Sequence, residues 1–264
     1  MHDFLKAWSD FKVTKGPRIF PGDELLLDKP EVTVLYDSWD TVISQEDFGA
    51  KQNCGSNDTR LHLSLLPEPF FGSIATAPVV ILSLNPGLHY DGYYSEFFVP
   101  DYGRALLDTL RRRPDKRFPH MWLNPRFAWH SGFSYWHGRL AGLIDQFAQE
   151  LKVRRLESLS FFAKSVATLQ LVPYHSASFG LNDSIINDLE SVGLARAFLR
   201  DILMPREDVL LVSVRKRERW NLPNLDSRVI EGSRSRAAYF TDTARKQIFK
   251  HLKKRYVGWR QREA

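Results

Sequence analysis

The residues best suited to chemistry stand at the ends of apolar segments. Asn85-Pro86-Gly87 follows directly on the most hydrophobic run of the chain, Pro78–Leu84 (PVVILSL). Pro86 fixes its own backbone, and Gly87 permits a positive φ or the close approach of a ligand. Asn85 would therefore be held rigidly, with an amide that can orient a water or a base. An asparagine has no basic lone pair at neutral pH, so it can direct a water but cannot deprotonate it. The plain alternative is a structural turn. A second apolar segment ends in Leu169-Gln170-Leu171-Val172-Pro173-Tyr174-His175-Ser176, which brings an amide and an imidazole close to a strand end. Between the two lies the aromatic run Tyr93-Tyr94-Ser95-Glu96-Phe97-Phe98, and Pro67-Glu68-Pro69-Phe70-Phe71-Gly72 precedes both. Farther on, Val229-Ile230-Glu231 leads into Gly232-Ser233-Arg234-Ser235-Arg236. His120, His130 and His137 show no metal-ligand spacing with acidic or cysteine partners, so neither a metal nor a cofactor is expected.

These residues need a frame. Pro78–Leu84 is continuously apolar, as in a strand covered on both faces of a parallel sheet. Ala167–Val172, Asp208–Val214 (DVLLVSV) and Ser227–Glu231 are the other strand candidates of the core. Helical spacing is found over Tyr102–Arg113, Tyr135–Leu151, Ser184–Leu203 and Thr241–Tyr256, with Asn182 and Asp183 as capping candidates for the third. Ala244, Ile248, Leu252 and Tyr256 form one stripe on the last, and Arg245, Lys246, Lys250, Lys253, Lys254 and Arg255 lie on its other faces. Residues 1–75 read as an N-terminal elaboration, with a short helix near Phe4–Phe11, a strand Val32–Tyr36 and a loop Gln45–Thr59. Residues 76–264 form the α/β core of a single domain. Strands alternating with helices predict a three-layer α/β sandwich on a mostly parallel four-stranded sheet. In such sheets ligands bind beyond the carboxyl ends of the strands, here the loops after Leu84, Val172, Val214 and Glu231.

Bulk properties narrow the function classes. A chain of 264 residues with 43% hydrophobic and 26% charged residues suits one globular α/β domain. No apolar run approaches the roughly 18 residues that span a bilayer, so no membrane partner is expected. The segment MHDFLKAWSDF lacks the apolar core of a secretory signal. Cys54 is the only cysteine, which excludes an intrachain disulfide and any four-cysteine iron–sulfur cluster. A soluble cytoplasmic protein, monomeric, is the expectation. Residues 201–264 hold 16 Lys+Arg against 8 Asp+Glu, a net of +8, whereas the first 200 residues hold 21 against 23, a net of −2. A basic face concentrated in this way attracts phosphate backbones, because each neutralised phosphate releases counterions. DNA is the expected partner; a solvated helix without a partner is the alternative.

The order and spacing of these motifs resemble the uracil-DNA glycosylase superfamily. The nearest branch is the mismatch-specific one, whose first motif is also a hydrophobic strand ending in Asn-Pro-Gly. The resemblance covers about residues 65–255 and is one of motif order, not of close sequence. It implies a uracil-DNA glycosylase-like fold and a monofunctional DNA N-glycosylase that flips a base from DNA and leaves an abasic site. Asn85 would position the attacking water, in a cleavage where departure of the base is well advanced before water attacks. Phe98 falls where the family stacks the extracted base, with Phe97 and Tyr94 as competitors; the alternative for the phenylalanine pair is loop core. Gln170 occupies the position of the amide that reads the base edge, or is simply a polar residue on a half-buried strand. His175 would donate to the departing base or contact phosphate, or be an ordinary loop histidine. Pro86, Gly87, Ser233, Arg234, Ser235 and Arg236 would contact DNA.

The chain departs from the family at its last motif. Gly232-Ser233-Arg234-Ser235-Arg236 stands where a His-Pro-Ser or Asn-Pro-Ser turn is usual, so no histidine is present there to stabilise the leaving base. Serine hydroxyls and backbone amides there can hold a phosphate, and an arginine can fill the space of the flipped nucleotide. Pro173-Tyr174-His175 has part of another branch's first motif but lacks the preceding aspartate and follows the wrong strand. Asp37, Asp40 and Glu46 read as surface carboxylates, one of which would be an extra acid if it folded over the site. No lysine lies beside the motifs, so no Schiff-base lyase step is expected. The altered last motif favours an unusual, bulky base, such as hypermodified cytosine in phage DNA, and with it a role in antiviral defence. Uracil or mismatch repair, a non-catalytic DNA-binding module and a hydrolase of free nucleosides are the competing functions.

Overall fold

A computed structural model describes residues 2–13, 17–30, 32, 34–35, 58–88, 91–222, 228–231 and 240–263. The chain forms two compact units that interleave along the sequence. The first takes Met1–Phe70, Leu84–Arg113 and Gln170–Ile202; the second takes Phe71–Ser83, Pro114–Leu169 and Leu203–Ala264. The strands are β1 (Val34–Leu35), β2 (Leu61–His62), β3 (Phe70–Phe71), β4 (Val79–Ser83), β5 (Val166–Gln170), β6 (Leu210–Ser213) and β7 (Val229–Glu231). The α-helices are α1 (Asp3–Ser9), α2 (Leu25–Asp28), α3 (Asp91–Phe98), α4 (Pro100–Leu110), α5 (Ser131–Leu151), α6 (Arg155–Ser165), α7 (Asp183–Asp188), α8 (Glu190–Phe198) and α9 (Asp242–Glu263).

The protein is α/β, and its main sheet has five strands in the order β3-β5-β4-β6-β7. β4 pairs with β6 in parallel, with Val79 opposite Leu210 and Leu82 opposite Ser213, and β6 pairs with β7 in parallel. Four strands were expected. The additional one, β3, is two residues long, too short for any periodic signal. A separate parallel pair joins β1 to β2. Val79, Val80, Ile81 and Leu82 are each 0% exposed, the burial on both faces that their unbroken apolar run predicts. Gly72 leaves β3 at φ +78°, where a Cβ would meet the Val166 carbonyl at 2.7 Å, so this turn requires glycine.

The stripe on α9 is fully internal: Ala244, Ile248, Leu252 and Tyr256 are at most 2% exposed. At about 1.5–3 kcal/mol for each large apolar side chain, this burial holds a helix whose surface is otherwise cationic. Tyr256 donates to Glu157 Oε1 at 2.7 Å and meets Phe161 edge to face at 4.9 Å.

Three helical expectations are corrected. The aromatic run at 93–98 is helix α3 rather than loop, and α6 carries no clear stripe in the sequence and was not foreseen. The long helix expected over Ser184–Leu203 is broken at Leu189, which is extended (φ −78°, ψ 127°) and separates α7 from α8. A buried carboxylate explains the break. Asp23 accepts a hydrogen bond from the Ser191 backbone N–H at 3.1 Å, capping α8 from a remote part of the chain. No helix among the described residues is long and apolar enough to cross a membrane.

Candidate active site

All the sequence-predicted site residues that are described belong to the first unit, and two loops form the site. One follows β4 and carries Asn85, Pro86 and Gly87; the other follows β5 and carries Tyr174, His175 and Ser176. They run side by side. Val172 N donates to Leu84 O at 2.8 Å, and Gly87 pairs with Ser176 in a parallel bridge. Gly87 is exposed and Pro86 buried. Positive φ among the described glycines is confined to Gly22 and Gly72, so Gly87 does not adopt the positive φ that was one of its two expected roles.

Asn85 is fastened through its nitrogen. Nδ2 donates towards Pro86 O at 2.9 Å, Ser176 Oγ at 2.9 Å and Tyr174 O at 3.2 Å. Two of these partners are carbonyls, which only accept, so the amide orientation is fixed by chemistry. Oδ1 receives no hydrogen bond from the described residues. The half-buried side chain therefore offers a rigidly held acceptor, able to take one proton of a water in a hydrogen bond and aim that water's oxygen.

Gln170 ends β5 and is 3% exposed; its backbone N donates to Pro69 O at 2.8 Å. Its Oε1 is buried without a hydrogen-bond partner among the described residues. Leaving a buried amide oxygen unpaired costs about 1–3 kcal/mol, a cost that an ordered water or a bound ligand would relieve.

The turn beneath these residues is densely hydrogen-bonded. Tyr174 donates to Asp23 Oδ2 at 2.6 Å and accepts from Phe20 N at 3.0 Å. Burial raises the Tyr174 hydroxyl well above its ordinary range, and the Asp23 charge adds to that. His175 has Nδ1 2.9 Å from Gly87 O and Nε2 3.1 Å from Leu66 O. With its ring nitrogens directed at backbone carbonyls, His175 is already committed, contrary to the expectation of a donor held ready for a base or phosphate.

Sequence reasoning missed Glu68 and His62. Glu68 is 5% exposed, its backbone N donates to Pro173 O at 2.8 Å, and its Oε1 lies 3.9 Å from His175 Nε2. Burial pushes its carboxyl up to about 8. A signal was available: Ser64 and Glu68 are the only polar residues in Leu63–Phe71, and a lone carboxylate in such a run is a candidate for burial. His62 faces Tyr93 Oη through Nδ1 at 2.9 Å, and its Nε2 is buried without a hydrogen-bond partner among the described residues. Burial first, and then the charge of His175, push the His62 ring down to about 4.

The aromatic run divides by face. Tyr93 is 2% exposed, whereas Tyr94, Phe97 and Phe98 are 53%, 40% and 51% exposed, so the two phenylalanines are not core. Tyr94 and Phe98 stack at 5.8 Å with an interplanar angle of 15°, and the Arg18 guanidinium lies 5.3 Å above Phe97. Glu96, from the same helix, pairs with Arg18 and accepts from Leu66 N, which ties α3 to the Pro67–Pro69 segment. Ser233, Arg234, Ser235 and Arg236, together with Asp37, Asp40 and Glu46, lie outside the described residues.

On α9, in the second unit, Lys253 pairs with Glu150 and Arg255 with Asp208, while Lys246, Lys250 and Lys254 are exposed. Among the described residues no group of three or more His, Cys, Asp or Glu side chains is arranged to hold a metal. No protein-family model, curated protein or solved structure matches this chain.

Proposed function

We propose that the protein is a DNA glycosylase of the uracil-DNA glycosylase type, acting on a damaged or modified base and leaving an abasic site. The observation that carries this reading is the geometry of Asn85: its amide nitrogen is locked to the neighbouring loop and its oxygen is left to accept from a water. In the reaction the C1′–N bond breaks and its electron pair leaves with the base. The sugar becomes an oxocarbenium ion, water directed by Asn85 Oδ1 adds to C1′, and the water's proton ends on the released base. Asparagine takes no proton, so the rate relies on departure of the base and on fixed dipoles around the cation.

Three further features support the reading. The unpaired Oε1 of Gln170 suits the N–H edge of a base, which would restore a missing hydrogen bond on binding. Exposed, stacked Tyr94 and Phe98 suit contact with a base taken out of its stack. The cationic C-terminal quarter suits a phosphate backbone. Within this reading the substrate is a bulky modified pyrimidine, such as hypermodified cytosine of phage DNA, and the role is antiviral defence.

The experiment is incubation with duplex and single-stranded oligonucleotides that each carry one altered base, followed by alkali. Strand breaks at the altered base, lost in Asn85→Ala, are the expected result. Cleavage of uracil DNA with glucosylated or hydroxymethylated cytosine DNA left intact would overturn the substrate assignment. DNA binding without cleavage of any member would leave a binding module instead.

A further inference from the structure

His175 presents an imidazole whose two nitrogens both meet acceptors. Nδ1 is 2.9 Å from Gly87 O, Nε2 is 3.1 Å from Leu66 O, and the residue is 9% exposed. A carbonyl oxygen can only accept, and a neutral imidazole carries a single N–H. In the neutral ring, one nitrogen lone pair would point at a carbonyl lone pair. Both contacts are attractive only when both nitrogens carry hydrogen. The counter-charge is at hand in Glu68 Oε1, 3.9 Å from Nε2. Its segment is fastened to the same turn, since Glu68 N donates to Pro173 O at 2.8 Å.

Among the described residues, the titratable groups around the pair are neutral in the range that matters or paired, apart from Asp91, whose charge acts on Tyr102; Glu96, which accepts from Leu66 N, is paired with Arg18. His62, whose backbone N donates to His175 O at 2.9 Å, is pushed down to about 4, in part by the charge on His175. Tyr102, which senses the Glu68 charge, is held well above its ordinary value by burial. Asp58 and Arg60, which act on His62 from the same stretch of chain, are paired with each other at 2.6 Å. Burial pushes the Glu68 carboxyl up to about 8, so at neutral pH one proton is held between this carboxyl and the ring, and the two acceptors that face the ring favour its place there.

We propose that His175 is a positioning residue: held as an imidazolium against Glu68, it clamps the carbonyl of Gly87 to that of Leu66 and thereby sets where Asn85 Oδ1 points. Its role is distinct from that of a proton donor to the departing base, and only the activity arm of its test rests on the glycosylase reading. The clamp joins three stretches of chain at one ring: the turn after β4, the turn after β5 and the segment before β3.

The test uses the full chain with ¹⁵N-labelled histidine. In the NMR spectrum at pH 7.5 both ring nitrogens of His175 are expected to be protonated, with His175→Gln supplying the assignment. In Glu68→Gln the second proton should leave at a pH at least about one unit lower, because the counter-charge is gone. A singly protonated ring at pH 7.5 in the wild-type protein overturns the proposal, as does an unchanged titration in Glu68→Gln. The wild-type spectrum is decisive even where His175→Gln folds poorly; resonances are then assigned through backbone correlations. In single-turnover assays, His175→Gln should lower the excision rate about 10²-fold, as a misplaced water would, with DNA affinity within about twofold. An unchanged excision rate overturns the positioning role. If no oligonucleotide is cleaved, the glycosylase reading fails while the doubly protonated ring still stands or falls by the spectrum.

Discussion

Two side-chain amides stand where strands of the main sheet run out, and they are treated in opposite ways. Asn85, just past β4, gives its nitrogen to three acceptors on its own and the neighbouring loop. Gln170, at the end of β5, is buried more deeply yet its oxygen is unpaired among the described residues. The first amide is held by the fold; the second weakens it. A satisfied amide with one exposed lone pair suits the orientation of a small nucleophile, which demands rigidity. An unsatisfied amide suits recognition, because a ligand that completes the pair is discriminated from one that does not. Folding energy is therefore lost at Gln170 and gained at Asn85, and on the proposed glycosylase reading the contrast separates a positioning role from a reading role.

Substitutions that act on each amide should break this contrast in different directions. The largest effect is expected at Asn85. Asn85→Ala should lower excision by about 10²–10³-fold, the range for loss of one fixed polar group in a reaction site. The same change leaves Tyr174 O and Pro86 O without this donor and should destabilise the fold by about 1–3 kcal/mol in denaturant melts. Gln170→Leu should cost about 10–100-fold in excision, the value of one base-edge contact, and raise stability or leave it unchanged. Loss of stability in Gln170→Leu would show that Oε1 is paired in solution, and the contrast would fail.

A smaller effect concerns pH. Burial pushes Glu68 up to about 8, so on the proposed clamp the folded Glu68–His175 pair still holds one proton where an unfolded histidine, at about 6.5, is releasing its own. The folded state then binds more protons, so stability should fall as pH rises above about 6.5 and through about 8, by on the order of 2 kcal/mol. Glu68→Gln should flatten that slope, as read from urea midpoints at a series of pH values. The smallest change is expected on α9. Replacing Lys246, Lys250 and Lys254 by Gln should leave melting unaltered and weaken DNA binding at low salt. For every phosphate no longer neutralised, the slope of log affinity against log salt should become shallower by about 0.9.

How much of this could be read from residues alone depends on whether the cause is local. The strand Val79–Ser83 and the stripe on α9 were legible, because periodicity and burial on both faces leave a direct mark on the sequence. The position of Asn85 at a strand end was legible for the same reason. The break at Leu189 was not, because its cause, the carboxylate of Asp23, lies 168 residues from its Ser191 partner. The helical state of 91–98 was hidden by aromatics on the exposed face, which blur the apolar stripe. His175 was visible as a polar residue near a strand end, but its engagement by Gly87 O and Leu66 O depends on partners 88 and 109 residues away. Glu68 gave a usable signal of its own: an acid between two prolines in an apolar run.

The order of strands in the main sheet also governs how the chain can be made. β4 lies between β5 and β6, so the first long core strand to leave the ribosome stays unflanked until residues 166–170 and then 210–213 have been synthesised. A four-residue stretch of Val, Val, Ile and Leu with both backbone edges open is a template for aggregation. Premature termination before β6 would leave one of those edges bare permanently.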